Sequence, residues 1–126
     1  MGQQAAAILF GVRKPKGAAW RENEWGEILL LQEFAKATSR EAAPVEPRVY
    51  DDVCLVGFWV AVGRSGKEGV PGVDITVALD EIATKRPYAA AYKRAVKRWE
   101  VFVLWCSARN VTPPAARLWL CETEVG

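Results

Sequence analysis

The chain has 126 residues, of which 51% are hydrophobic and 25% charged, and its formal net charge is +2. This length and composition predict one globular domain over residues 1–126, and they exclude an intrinsically disordered chain. No apolar run approaches the roughly 18 residues that a membrane-spanning helix needs, so we expect no association with a membrane.

The first predicted element is a strand over residues 4–12, which contains the apolar run "AAAILFGV". The run is short and no basic stretch precedes it, so we interpret it as a strand and not as a signal peptide. Residues 25–38, "WGEILLLQEFAKAT", are ambiguous because their apolar positions fit either a strand or a helix. We favour a strand for the first half of this segment.

Residues 48–63 form the clearest predicted strand, because β-branched and aromatic residues dominate the segment. Apolar residues occupy both faces from Val53 onward, which indicates a central strand covered on both sides or a strand bent at Gly57. The turn-forming "RSGKEGVPG" and the alternating "VDITVAL" then predict a second strand, paired with the first in an antiparallel hairpin.

A short turn is expected at Asp80, and a long helix should begin near Pro87, because proline suits a first helical turn. The helix should end before the two prolines of "NVTPP", with Asn110 as its cap. Residues 116–125 then form a last strand, apolar at Leu118 and Leu120. This order of elements predicts an α+β fold, with a mostly antiparallel sheet of four to five strands and one long helix packed on one face.

The two faces of the long helix differ in character along its length. At about 100° per residue, one stripe is apolar and should face the sheet: Tyr88, Tyr92, Ala95, Val96, Trp99, Phe102, Val103 and Cys106. The opposite face starts with basic residues and then becomes apolar at Val101, Leu104 and Trp105. A group of large apolar side chains on an outer face is typical of an interaction surface.

Three explanations of this apolar group are open. The loop of residues 38–48 could cover it, "EVFVLW" could be a strand, or the group could be an interface, most simply of a symmetric dimer. The leading hypothesis is a small non-catalytic binding protein that forms a homodimer, or binds another protein, through the outer face of the helix. Its candidate interface residues are Arg98, Val101, Leu104, Trp105 and Arg109.

An alternative hypothesis is nucleic-acid binding, because the positive charge is unevenly distributed. Residues 13–21 and 85–98 hold ten of the seventeen Lys and Arg residues and no acid. Basic side chains interleaved with aromatic ones can neutralise phosphates and stack on bases. The candidates are Arg13, Lys14, Lys16, Trp20, Arg21, Lys93, Arg94, Lys97 and Arg98.

Enzymatic chemistry has less support. The chain has no histidine, which excludes Ser-His and Cys-His nucleophilic pairs. The odd set of cysteines (54, 106 and 121) has no C-x-x-C spacing, so we expect buried reduced thiols, a cytoplasmic location and no bound cofactor. A second alternative is a metal-dependent phosphodiester hydrolase with magnesium on Asp51, Asp52 and Asp74, although their spacing matches no nuclease pattern.

Overall fold

The computed structural model describes residues 3–49, 52–64, 66, 69–73 and 79–125, with side chains from residue 6 to residue 121. The longer elements, in chain order, are β1 (Gln3–Arg13), α1 (Leu29–Ala37), β2 (Arg48–Val49), β3 (Val53–Val62), α2 (Tyr88–Ser107) and β4 (Arg117–Val125). Single turns of 3-10 helix lie at Ala18–Trp20, Arg40–Ala42 and Leu79–Glu81.

The four strands form one sheet in the order β2-β3-β1-β4, and every neighbouring pair is antiparallel. It follows that β1 and β2 run in the same direction with β3 between them, and that β3 and β4 run in the same direction with β1 between them. This arrangement is two interleaved split β-α-β units, the ferredoxin-like topology. The predicted α+β class, with one long helix on an antiparallel sheet, is confirmed.

The main core lies between the helices and one face of the sheet. Ile8, Val56 and Val60 are fully buried there. The buried residues of α2 are Tyr88, Ala91, Ala95, Trp99, Phe102 and Cys106. Most of the predicted apolar stripe therefore faces the core, with Ala91 as an addition, while Tyr92, Val96 and Val103 are only partly buried.

The sheet is curled, and its other face buries a second, smaller cluster. A bulge between Ile8 and Leu9 interrupts the pairing of β1 with β3, and bulges bend and twist a strand. The edge strands β2 and β4 come within 8 Å of each other, Cα to Cα. Leu9 and Leu55 are buried on this side, and the half-buried Trp59 and Trp119 flank Leu9 as its partners on the neighbouring strands.

Two glycines allow β1 and β3 to approach closely. Gly11 and Gly57 are direct partners in the sheet. A Cβ atom on Gly11 would overlap the carbonyl oxygen of Val56, and one on Gly57 would overlap that of Phe10. Any other residue at either position would therefore push the two central strands apart.

The C-terminus of α2 is capped as the sequence predicts. Asn110 has a left-handed backbone with φ of 60°. Its N–H donates to the carbonyl oxygen of Ser107, and the N–H of Val111 donates to that of Cys106, both at 3.0 Å. These two bonds define a Schellman motif, which satisfies carbonyl groups that the last helical turn leaves open.

Two expectations about elements are wrong. A strand was favoured for the first half of residues 25–38, but residues 29–31 begin helix α1, because Leu30, Leu31 and Phe34 form a single buried face in the helical conformation. Residues 48–63 contain two paired strands instead of one, separated before Asp52, whose left-handed φ is 57°. Leu120 lies on the edge strand β4, and its side chain is 54% exposed.

The expected hairpin after β3 is only partly within the described residues. The chain turns back, because the N–H of Val62 donates to Pro71 and the N–H of Val73 donates to Gly63, at 3.0 and 2.6 Å. Residues 74–78, where the second strand was predicted, lie outside the described part of the chain. No helix among the described residues has the length and apolarity needed to cross a membrane.

We expect Phe102→Ala to lower the free energy of unfolding by about 3–5 kcal/mol, as large-to-small changes at fully buried aromatic residues do. Phe102 is fully buried, and the rings of Trp20, Phe34 and Trp99 lie 5.2–6.3 Å from it, centroid to centroid. Denaturant unfolding measures the loss. The control is Lys97→Ala on the exposed face of α2, which should change stability by about 0.5 kcal/mol or less. Equal losses in the two variants would contradict a central role for Phe102.

Candidate functional site

Two neighbouring apolar side chains of α2 are exposed on its outer face. Val101 is 55% exposed and Leu104, one turn further along, is 72% exposed. We call this pair the α2 patch. Residues 100–105 lie within the helix, so the strand explanation of this segment is wrong. The exposure of both side chains also shows that the loop of residues 38–48 does not cover them.

Trp105 belongs partly to the core. Its ring is half-buried and packs edge-on against Phe34 of α1, with the centroids 5.2 Å apart. The guanidinium of Arg109 lies over the same ring, 3.7 Å from its centroid. Of the three apolar residues on the outer face, only Trp105 is partly covered by α1. It marks the boundary between the core and the α2 patch.

A cleft of about 360 Å³ lies beside this boundary, between α1, the 3-10 turn Ala18–Trp20 and the residues that follow α2. The backbone N–H of Leu29 donates to the carbonyl oxygen of Arg21 at 3.1 Å, which fixes the start of α1 against the preceding segment. The cleft is lined by Ala18, Ala19, Arg21, Leu29, Leu30, Glu33, Arg109 and Val111. Sequence reasoning missed this site, because Arg109 and Val111 are far along the chain from the other residues that line it.

The structure divides the basic residues of the nucleic-acid hypothesis into separate groups. At 1.5 Å per residue, α2 is about 30 Å long, with Lys93 in its first third. Arg21 lies at the cleft beside the opposite end. Lys14 is 2.9 Å from Glu22, Nζ to Oε1. Trp20 is only 4% exposed and packs against Phe102, so its ring is not available to stack on a base.

A polar network joins the start of α1 to the edge of the sheet. Glu22 accepts hydrogen bonds from Lys14 at 2.9 Å and from Arg48 at 2.7 Å, and these two bonds lower the pKa of its carboxyl group.

Glu46 accepts a hydrogen bond from the backbone N–H of Ile28 at 2.9 Å. Burial raises the pKa of Glu46, although the bond from Ile28 acts in the opposite direction. Glu46 therefore caps the first turn of α1 at an electrostatic cost.

The described residues give no support to the metal hypothesis, and two of the thiols are unreactive as expected. Asp51 and Asp74 lie outside the described residues, and Asp52 is exposed. In the part of the chain that the structure describes, no three His, Cys, Asp or Glu side chains could hold a metal ion together. Burial raises the pKa values of the Cys106 and Cys121 thiols to about 11, so both are unreactive near neutral pH.

No family model, curated protein or solved structure matches the chain. The ferredoxin-like topology carries many unrelated functions. The α2 patch, the cleft and the charges around them are therefore the features from which a function can be inferred.

The raised pKa of Glu46 predicts a stability that falls as the pH rises. The group holds its proton more tightly in the folded state, so folding becomes less favourable as the pH climbs from the unfolded value of 4.5 through the folded value. In Glu46→Gln the amide oxygen can still accept the Ile28 N–H. We therefore expect this variant to gain stability relative to the wild type as the pH rises from 4.5 through the folded pKa of Glu46.

Glu22→Gln is the control, because its stability relative to the wild type should change with pH in the opposite direction. The lowered pKa of Glu22 means that its contribution to stability is present above 4.5 and is lost as the pH falls through the folded value. This variant should lose stability relative to the wild type as the pH rises from below the folded pKa of Glu22 to 4.5. Denaturant unfolding at a series of pH values measures the difference in the free energy of unfolding between each variant and the wild type. If both differences change in the same direction with pH, the opposite pKa shifts assigned to Glu46 and Glu22 are refuted.

Proposed function

We propose that the protein is a non-catalytic binding protein that forms a homodimer through the α2 patch. The observation that carries the proposal is the exposure of Val101 and Leu104 together on one turn of a long helix. Burying one such side chain is worth about 1.5–3 kcal/mol. Two of them on a rigid element, held in place by the packing of the opposite helix face, give a partner a fixed apolar surface.

The charge on α2 favours a second copy in an antiparallel arrangement. The exposed Lys93, Arg94, Lys97 and Arg98 occupy the first half of the helix, and the α2 patch follows them. A two-fold axis through the patch that reverses the helix direction places the two basic segments at opposite ends of the contact. A parallel pairing would bring them side by side, where like charges repel.

The contact would be small and the dimer correspondingly weak. Val101 and Leu104 form its centre, and the edge of Trp105 with the alkyl stems of Arg98 and Arg109 would extend it. Such an area is below the 1,200–2,000 Å² that is typical of stable complexes. We therefore expect an equilibrium between monomer and dimer that depends on protein concentration.

The three cysteines support a cytoplasmic site of action as part of this proposal. Cys54, Cys106 and Cys121 are all buried and free. Disulfides form readily in secreted compartments and are rare in the reducing cytoplasm, so three free thiols fit the latter.

Leu104→Glu tests the homodimer directly. The side chain is exposed, so the variant should keep the fold, whereas two carboxylates placed at a two-fold contact would repel each other. Light scattering over a series of protein concentrations should give a mass that rises toward twice the chain mass for the wild type. The Leu104→Glu variant should keep the mass of one chain throughout.

Trp25→Glu is the matched control for this experiment. Trp25 is 76% exposed, but it lies in the loop between the Ala18–Trp20 turn and α1, not on α2. The control should associate as the wild type does. A wild-type mass that stays at one chain at the highest concentration would refute the homodimer, and loss of association in Trp25→Glu alone would place the contact elsewhere.

A second candidate function, nucleic-acid binding, keeps one favourable observation. Lys93, Lys97 and Arg98 are exposed and form no ion pair within the described residues, and the side chain of Arg94 donates only to the carbonyl oxygen of Gly69, at 3.1 Å. These four cations therefore form one basic surface along the first half of α2, without Trp20 and the residues near the cleft.

If this surface binds single-stranded nucleic acid, the logarithm of the affinity should fall with the logarithm of the salt concentration with a slope of about −3 for four phosphate contacts. Fluorescence anisotropy with a labelled oligonucleotide measures it. A double variant, Lys93→Glu with Lys97→Glu, should abolish binding, whereas Lys36→Glu on α1 should retain it. No binding in dilute salt would remove this candidate.

A further inference from the structure

The cleft beside α1 combines an apolar floor with a charged rim. Leu30 is buried and Leu29 and Val111 are partly buried, so the floor offers hydrocarbon surface. The volume of about 360 Å³ falls within the range of small-molecule sites. Apolar walls with a few polar groups of fixed position are the usual composition of such sites.

Arg109 is held in place on one side of this rim. Its guanidinium lies 3.7 Å from the centroid of the Trp105 ring, and Trp105 is itself packed against Phe34. Stacking occupies the flat face of a guanidinium and leaves the N–H groups at its edge free to donate. Arg109 therefore presents donors whose orientation is already restricted before any ligand arrives, and this reduces the entropic cost of binding.

Three charged side chains surround the opening of the cleft. Arg21 and Glu33 line the cleft together with Arg109. None of the three forms an ion pair with another residue that the structure describes. Two cations and one anion leave a single net positive charge around the opening, so a monoanion matches the site. A dianion such as a phosphate would leave excess negative charge beside Glu33.

We infer that this cleft binds a small carboxylate with an apolar body, with the carboxylate between Arg21 and Arg109 and the apolar body against Leu29, Leu30 and Val111. Arginine and carboxylate form paired, charge-assisted hydrogen bonds in a shared plane, and these are stronger than neutral ones. The inference goes beyond the proposed homodimer and does not depend on it, because the cleft residues come from a single chain.

The test uses benzoate as the probe and benzamide as its neutral analogue. It is carried out on the Leu104→Glu variant, so that it does not depend on whether the wild type dimerises. Benzoate should cause saturable shifts of the Arg21 and Arg109 side-chain Nε–H signals in ¹H–¹⁵N NMR spectra. For a probe of this size we expect a dissociation constant in the millimolar range. Benzamide should cause no saturable shift of these signals.

Arg21→Gln and Arg109→Gln should each weaken benzoate binding about tenfold, since a hydrogen bond to a charged group contributes at least that factor. Arg98→Gln is the matched control, because Arg98 is exposed on α2 but does not line the cleft, and it should bind benzoate as its parent does. The inference is overturned if the shifts do not saturate, if benzamide binds equally well, or if Arg98→Gln weakens binding as much. Tighter binding of phenyl phosphate than of benzoate would overturn the choice of a carboxylate.

Discussion

The aromatic packing around Phe102 is the contact on which the helical side of the molecule depends. The rings of Phe34 and Trp99 lie 5.2 and 5.4 Å from it, so one side chain joins α1, the middle of α2 and the core above the sheet. Trp20 adds the turn before α1 to the same cluster at 6.3 Å. The pairs with Phe34 and Trp20 are edge-on, and edge-on ring pairs contribute stabilisation beyond the apolar area that they bury. Because α1 has only nine residues, too few for a stable isolated helix, this packing is what holds it.

The position of α1 decides which part of α2 is covered. Phe34 reaches Trp105 but leaves Val101 and Leu104 uncovered. The same placement forms the cleft, since one wall of the cleft is α1 and another is the end of α2. Trp105 and Arg109 connect the two features: the ring borders the α2 patch, and the guanidinium above it lines the cleft. The two candidate surfaces are therefore consequences of one packing arrangement.

The sequence predicted the elements whose signals are local. The apolar stripe of α2, its end at Asn110 and the central position of β3 all follow from periodicity, turn chemistry and composition. The prediction for residues 29–31 was wrong because three successive leucines fit both a strand and a helix. The helix buries Leu30, Leu31 and Phe34 together, and Phe34 makes a long-range contact with Phe102. The break before Asp52 had a signal, two consecutive acidic residues inside an apolar run. The cleft had none, because its walls meet only after α1 packs against α2.

The curl of the sheet also restricts where a partner can bind. A flat ferredoxin-like sheet leaves the face opposite its helices open, but here Leu9 and Leu55 are buried on that face by the sheet's own side chains. Trp119 is held there as well: its indole N–H donates to the carbonyl oxygen of Gly11 at 3.0 Å, and Arg117 lies over its ring. Among the described residues, the large apolar side chains that stay exposed are Val101, Leu104, Trp25 and Leu120. Since only Val101 and Leu104 share one turn of a helix, a partner that needs a rigid apolar surface finds it at the end of α2.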